Sequence, residues 1–174
     1  MLDSMAAKAI LDARAAALAQ VPAADAAPHE MLEAVIFSIG AERFALETQY
    51  VRSAIKMSVC TPVPGLPRYF LGAINVRGEV VALVNLAALL FESQGMGECN
   101  WVLLLGREAT ELGVPVEKVL GVTHLSFNQI LEAPAQMTKS TKLCLRGVTS
   151  DGTIIIDGDL LLKDEQFFVE ENTA

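Results

Sequence analysis

Pro64-Gly-Leu-Pro-Arg-Tyr-Phe-Leu-Gly-Ala-Ile-Asn-Val-Arg-Gly78, running on into Glu79-Val-Val-Ala-Leu-Val84, is the stretch whose reading decides the fold. It is entered through Thr61-Pro-Val-Pro-Gly-Leu-Pro67, where three prolines remove three backbone donors and bar the residues before them from helical geometry. Pro64-Gly65 suits the centre of a type II turn, proline fixing one φ and glycine supplying the positive one. Leu71–Val76 and Glu79–Val84 then read as two strands joined through Arg77-Gly78. Asn85 follows as a cap for a short helix, Leu86–Phe91. Turn, hairpin and capped helical turn in so few residues describe a small β unit.

Working outward, Ala34-Val-Ile-Phe-Ser-Ile39 is apolar and β-branched, and Gly40-Ala-Glu-Arg43 connects it tightly to Phe44-Ala-Leu46, a second hairpin. Tyr50 to Met57 suits either a short helix or a strand. The second half of the chain repeats this script. Trp101–Leu105 with Gly106 answers Val35–Ile39 with Gly40. Leu112–Val116 followed by Val119 answers Phe44–Leu46 followed by Val51. A loop marked by Ala133-Pro134 answers the proline-rich one, and Leu143–Val148 answers Leu71–Val76. Gly152–Ile156, Asp157 and Leu160–Leu162 answer Gly78–Val84, Asn85 and Leu89-Leu90. Two similar strand sets imply two small β-barrels. Strands that do not alternate with long helices argue against helix-rich folds. The division expected is 36–92 for the first unit, 99–163 for the second, and an acidic segment, 164–174, after them.

Ahead of these lies an alanine-rich stretch, residues 3–19, that reads as a helix capped by Asp3 or Ser4, then linker character from Val21 to Pro28. The domains expected are therefore 1–30, helix and linker, and 31–174. Lys8, Asp12 and Arg14 interrupt any signal-peptide core. The longest apolar run, Val80–Phe91, is about half of what a membrane span needs. A cytoplasmic protein without membrane insertion is expected. A formal net charge of −8 opposes binding to nucleic acid or anionic lipid.

Enzymatic chemistry finds no footing. There is no G-x-S-x-G, GxxxxGK[ST], GxGxxG or HExxH. The histidines His29 and His124 and the cysteines Cys60, Cys99 and Cys144 are too few and too scattered for an ordinary zinc site. The cysteines read as small buried hydrophobes, His124 as structural among apolar neighbours, and Asp157 as a helix cap. No cofactor or metal is expected. Arg77, at the tip of its hairpin, offers a planar five-donor fork to a carboxylate or to carbonyls, or is ordinary surface charge.

Taken together, Phe37–Leu46, Val51, the TPVPGLP loop, Leu71–Gly78, Val80–Leu86 and Leu112–Val119 resemble the CheW family of chemotaxis coupling proteins over roughly residues 33–163. The combination Pro64–Gly78, with Glu117 in the second half, is specific to it. The resemblance implies a mainly β fold of two SH3-like five-stranded barrels with short helices, the N-terminal helix being extra, and a non-catalytic adaptor. Family members bind the regulatory domain of a CheA-type histidine kinase barrel to barrel. They hold the cytoplasmic hairpin tip of chemoreceptors in a groove between the barrels. By position, Val51 and Arg77 fall where the family meets its receptor, with Asn75 and Gly78 holding the arginine's geometry. Departures from the family pattern are Ser53, Asn85 and Ala87; Pro115, inside an expected strand, points to an edge or a bulge. The other readings are a detached kinase regulatory domain, which shares the fold, and a small β-barrel ligand-binding protein.

Overall fold

Trp101–Leu105, Leu112–Val116 and Ile154–Ile156 are apolar on both faces, and the arrangement that buries both gives the fold. A computed structural model describes residues 31–91, 97–132 and 144–163. The expected N-terminal helix and linker, the Ala133-Pro134 loop and the acidic 164–174 segment lie outside the described residues. From Leu32 onward the chain is one compact unit. Its elements are β1 (Met31–Ile39), β2 (Glu42–Glu47), a 3₁₀ turn (Thr48–Tyr50), β3 (Val51–Lys56), β4 (Phe70–Val76), β5 (Glu79–Val84) and α1 (Leu86–Phe91). The second half supplies β6 (Trp101–Leu105), β7 (Leu112–Val116), β8 (Lys118–Ser126), a 3₁₀ turn (Phe127–Gln129), β9 (Ile130–Leu131), β10 (Leu145–Thr149), β11 (Ile154–Ile156) and α2 (Gly158–Lys163). The segment left open between helix and strand is a 3₁₀ turn followed by a strand.

Two sheets form the two barrels, one in the order β3-β6-β7-β5-β4 and one in the order β8-β1-β2-β11-β10-β9. The second carries a sixth strand, the two-residue β9. The proline-rich segment closes the first: Thr61 bridges to Ala73 on the free side of β4. That close approach is why position 72 is glycine, with φ +140°, because a Cβ there would run into the Thr61 carbonyl and stand 2.9 Å from Cys60 Sγ.

The strand pairing does not follow the division at 36–92 and 99–163. β1 and β2, from the first half, join the second barrel, with β2 running parallel to β11 through Phe44–Ile154, Ala45–Ile155 and Leu46–Ile156. β6 and β7, from the second half, join the first barrel, where β7 runs parallel to β5 at Gly113–Leu83. Each half thus lends its leading hairpin to the other. The repeat reports two copies of one script but not which copy each hairpin pairs with.

Pro115, expected to mark an edge or a bulge, sits at a local edge of an otherwise interior strand. It lies on an interior strand, opposite Val102 of β6. Because β5 meets β7 only at Gly113, the strand is a local edge beyond that point, and the missing N–H breaks no ladder there.

Three apolar clusters result. Ile74, Val81, Leu83, Val102 and Leu104 fill the first barrel, and Leu32, Ala34, Ala45 and Ile155 fill the second. The largest lies between the barrels, where Phe37, Phe44 and Leu46 of one sheet meet Leu103, Leu105 and Val114 of the other, flanked by Leu86 and Leu90 of α1 and Leu161 of α2. Phe37 and Phe44 stack at 5.6 Å. Both helices are capped as expected: Ala88 N–H donates to Asn85 Oδ1 at 3.0 Å and Leu160 N–H to Asp157 Oδ1 at 3.0 Å. Asn85 and Ala87 are buried, so those two departures serve the helix cap and the inter-barrel core.

Neither half can complete a barrel alone. Separately expressed 31–95 and 97–174 fragments are expected to melt without a cooperative transition, and an equimolar mixture to regain one, followed by circular dichroism. A cooperative melt of either fragment alone would contradict the exchange.

Candidate protein interface

The turn of the β4–β5 hairpin holds three of the four expected binding residues. Val76 pairs with Glu79, so the loop is the two residues Arg77-Gly78, with φ of 54° and 94°. Those are the angles of a type I′ turn, whose handedness matches the twist of the strands. Gly78 is suited to its position, and its N–H donates to Asn75 Oδ1 at 2.9 Å. Arg77 is the one described non-glycine residue with positive φ. Its guanidinium is exposed and takes no ion-pair partner among the described residues. Across the hairpin from Asn75 stands Val80, 77% exposed, which leaves an apolar patch beside the arginine. Positive φ costs a β-carbon-bearing side chain about 1–2 kcal/mol.

Val51, the fourth expected residue, opens β3 and is half-buried against the inter-barrel cluster. Its lead-in is held on two sides. Gly106 N–H donates to the Tyr50 carbonyl at 3.0 Å. The Tyr50 ring lies so close to Gly158 that a Cβ there would collide with it. Burial, with the carboxylates of Glu47, Asp159 and Asp157 adding to it, raises the Tyr50 hydroxyl above its usual pKa. Val51 lies opposite Leu105, which lies opposite Leu112. Since β5 is parallel to β7, the Arg77-Gly78 turn projects beyond that same end of the sheet. No described contact joins Arg77 to Val51.

Further along β3 the barrels leave a groove of about 480 Å³, lined by Ala54, Trp101, Lys118, Val119 and Leu120. Trp101 and Val119 pack against the inter-barrel cluster below, while Leu120 is 52% exposed. Lys56 Nζ stands 4.0 Å from the Trp101 ring centre, a cation–π contact at the rim. None of the five lining residues stood out in the sequence as a binding residue, although Val119 is the repeat counterpart of Val51. The signal was that counterpart relation, together with the apolar Val119-Leu-Gly-Val122 on what proves to be an edge strand.

Chemistry elsewhere is sparse. Cys144 is buried as expected, but Cys60 and Cys99 are only partly so, and none of the three forms a disulfide among the described residues. Burial, helped by Glu117, pushes the Cys99 thiol up to about 11, which keeps it protonated and weakly nucleophilic at neutral pH. His124 is exposed and does have a carboxylate neighbour, Glu33 Oε1 at 3.7 Å, supplied by β1. No described helix is long and apolar enough to cross a membrane.

A pair of interlocked barrels with an apolar groove between them and a strained arginine at a hairpin tip defines a protein-docking module. Comparison with known proteins gives it a family. The CheW-like domain family matches residues 33–166, and the chain belongs to it. It is 30% identical to the chemotaxis protein CheW of Thermotoga maritima over 80% of this chain and 91% of that one. It is 24% identical to the CheW of Treponema pallidum over 74% of this chain and 80% of that one. Among solved structures, the scaffolding protein CheW of Thermoanaerobacter tengcongensis superposes with a TM-score of 0.60 at 25% identity, covering 72% of this chain and 88% of that one.

If the φ of Arg77 is strained, Arg77→Asn, which creates the favoured Asn-Gly pair, should stabilise the fold by about 0.5–1 kcal/mol. The check is the urea midpoint; a lower midpoint would show that the turn carries no strain.

Proposed function

We propose that this chain, a chemotaxis adaptor by family, couples a chemoreceptor to a CheA-type histidine kinase by seating the receptor's cytoplasmic helical hairpin in the groove between its barrels. The observation that carries this reading is the groove itself. Its floor of Ala54, Trp101, Val119 and Leu120 suits the apolar stripe of an amphipathic helix, and Lys118 lines it beside the rim residue Lys56. Lysines there favour a helix whose flanks are acidic. Val51 extends the apolar contact along β3. Arg77, held by Asn75 and Gly78, orients the partner from the end of the sheet by hydrogen bonding to carboxylate or carbonyl oxygens. The kinase's regulatory domain, built from the same kind of barrel, engages the module barrel to barrel.

Such coupling places the protein in the cytoplasm and calls for no catalysis, cofactor or nucleic acid. The acidic balance of the chain agrees with the last point.

The full chain should co-purify with both a receptor cytoplasmic fragment and the kinase, and binding to neither would refute the adaptor. Leu120→Asp should weaken the receptor complex by about 1–3 kcal/mol with little change in the melting temperature, because Leu120 is exposed. Unchanged affinity would move the receptor site away from the groove. Arg77→Asn should also lose receptor affinity; full affinity would make Arg77 ordinary surface charge.

A further inference from the structure

Glu47 is the last residue of β2 and one of four buried polar or charged residues among those described, with its side chain 8% exposed. A carboxylate so enclosed must be paired. Its Oε1 forms an ion pair with the Arg146 guanidinium of β10, and its Oε2 accepts from Gln49 Nε2. The same guanidinium stands 3.4 Å from Asp157 Oδ2, the carboxylate that caps α2, and 5.8 Å from the centre of the Phe127 ring. One arginine therefore ties three elements together: the end of β2, the start of α2, and β10, which bears it.

The position of this tie gives it a consequence. Glu47 leads directly into Thr48–Tyr50 and then Val51, so whatever fixes Glu47 and Gln49 fixes where β3 sets out. From the other side, α2 presents Gly158 to the Tyr50 ring, and Asp159 Oδ1 stands 3.6 Å from Arg107 Nε. Arg107 in turn receives, through its carbonyl, a 3.4 Å hydrogen bond from Arg52 Nη1 on β3. Both ends of the Arg146 clamp thus bear on the first residues of the groove strand.

We infer that Arg146 is a positioning residue for the groove: through Glu47 and Asp157 it sets Tyr50–Ala54 in place and so tunes affinity for a helix without touching it. The affinity part rests on the function proposed above; the placement of β3 does not. Lysine cannot replace the arginine, since a single ammonium cannot face two carboxylates with a rigid fork.

Three variants of the full chain test this. Arg146→Met leaves the Glu47 charge buried and alone and should lower the melting temperature markedly. Adding Glu47→Gln removes that charge and should restore most of the stability. The double variant should nevertheless bind the receptor cytoplasmic fragment about threefold to thirtyfold more weakly, with the amide signals of Val51–Ala54 shifted or broadened in the free protein. Arg146→Lys, which keeps the charge, should fold and show a smaller change in the same direction. A double variant that regains affinity along with stability would reduce the arginine to a purely structural role and overturn the inference. So would unshifted Val51–Ala54 amides in both the double and the lysine variant. If the wild-type chain binds no receptor fragment, the proposed function fails, while the amide shifts still decide whether Arg146 places β3.

Discussion

The apolar layer between the two sheets is the contact on which the rest of this protein depends. Phe44, Leu46, Ile154 and Ile156 face it from one barrel, Leu103, Leu105, Val114 and Val116 from the other, and all are essentially inaccessible to water. Neither barrel interior rivals it: the second is built around Leu32, Ala34, Ala45 and Ile155. Small barrels enclose too little apolar surface to offset the entropy of ordering their chains. The shared layer makes good that shortfall, and the exchange of leading hairpins makes it obligatory.

The groove follows from the same layer. Val51, Trp101 and Val119 are among the partly buried residues packed against it, and the groove opens where the layer reaches the surface between β3 and β8. An apolar interior that surfaces along one seam offers a partner helix a continuation of the core. No cleft with converging acids and bases is needed for that, and in the proposed coupling the partner is recognised by the rim: lysines on the groove and an arginine at the hairpin end. In the coupling proposed above, the output is geometry, the holding of two other proteins in register.

Much of this was legible in the sequence because it is local. Proline and glycine positions located the loop before β4, Arg77-Gly78 located the hairpin turn, and Asn85 and Asp157 located both helix caps; each depends on residues within a few positions of one another. The repeat declared two barrels. What was hidden is non-local. The parallel pairings of β2 with β11 and β5 with β7 depend on the shared layer, and no spacing encodes them. Tyr50–Met57 was ambiguous because its strand form is fixed by β6 across the sheet. Nothing in the spacing of Glu47 and Arg146 pairs them; the fold does, by placing β2 and β10 on either side of β11. Four of the five groove residues were apolar letters in strands, and only exposure, as at Ala54 and Leu120, separates them from the core.

The proposed receptor site is the seam between the barrels. Methyl-labelled NMR titration of the full chain with a receptor cytoplasmic fragment tests it most directly. The account predicts that perturbations centre on the methyls of Val51, Ala54, Val119 and Leu120. Perturbations centred instead on Val59 and Val63, before and within the proline-rich loop and both exposed, with the seam unchanged, would contradict it.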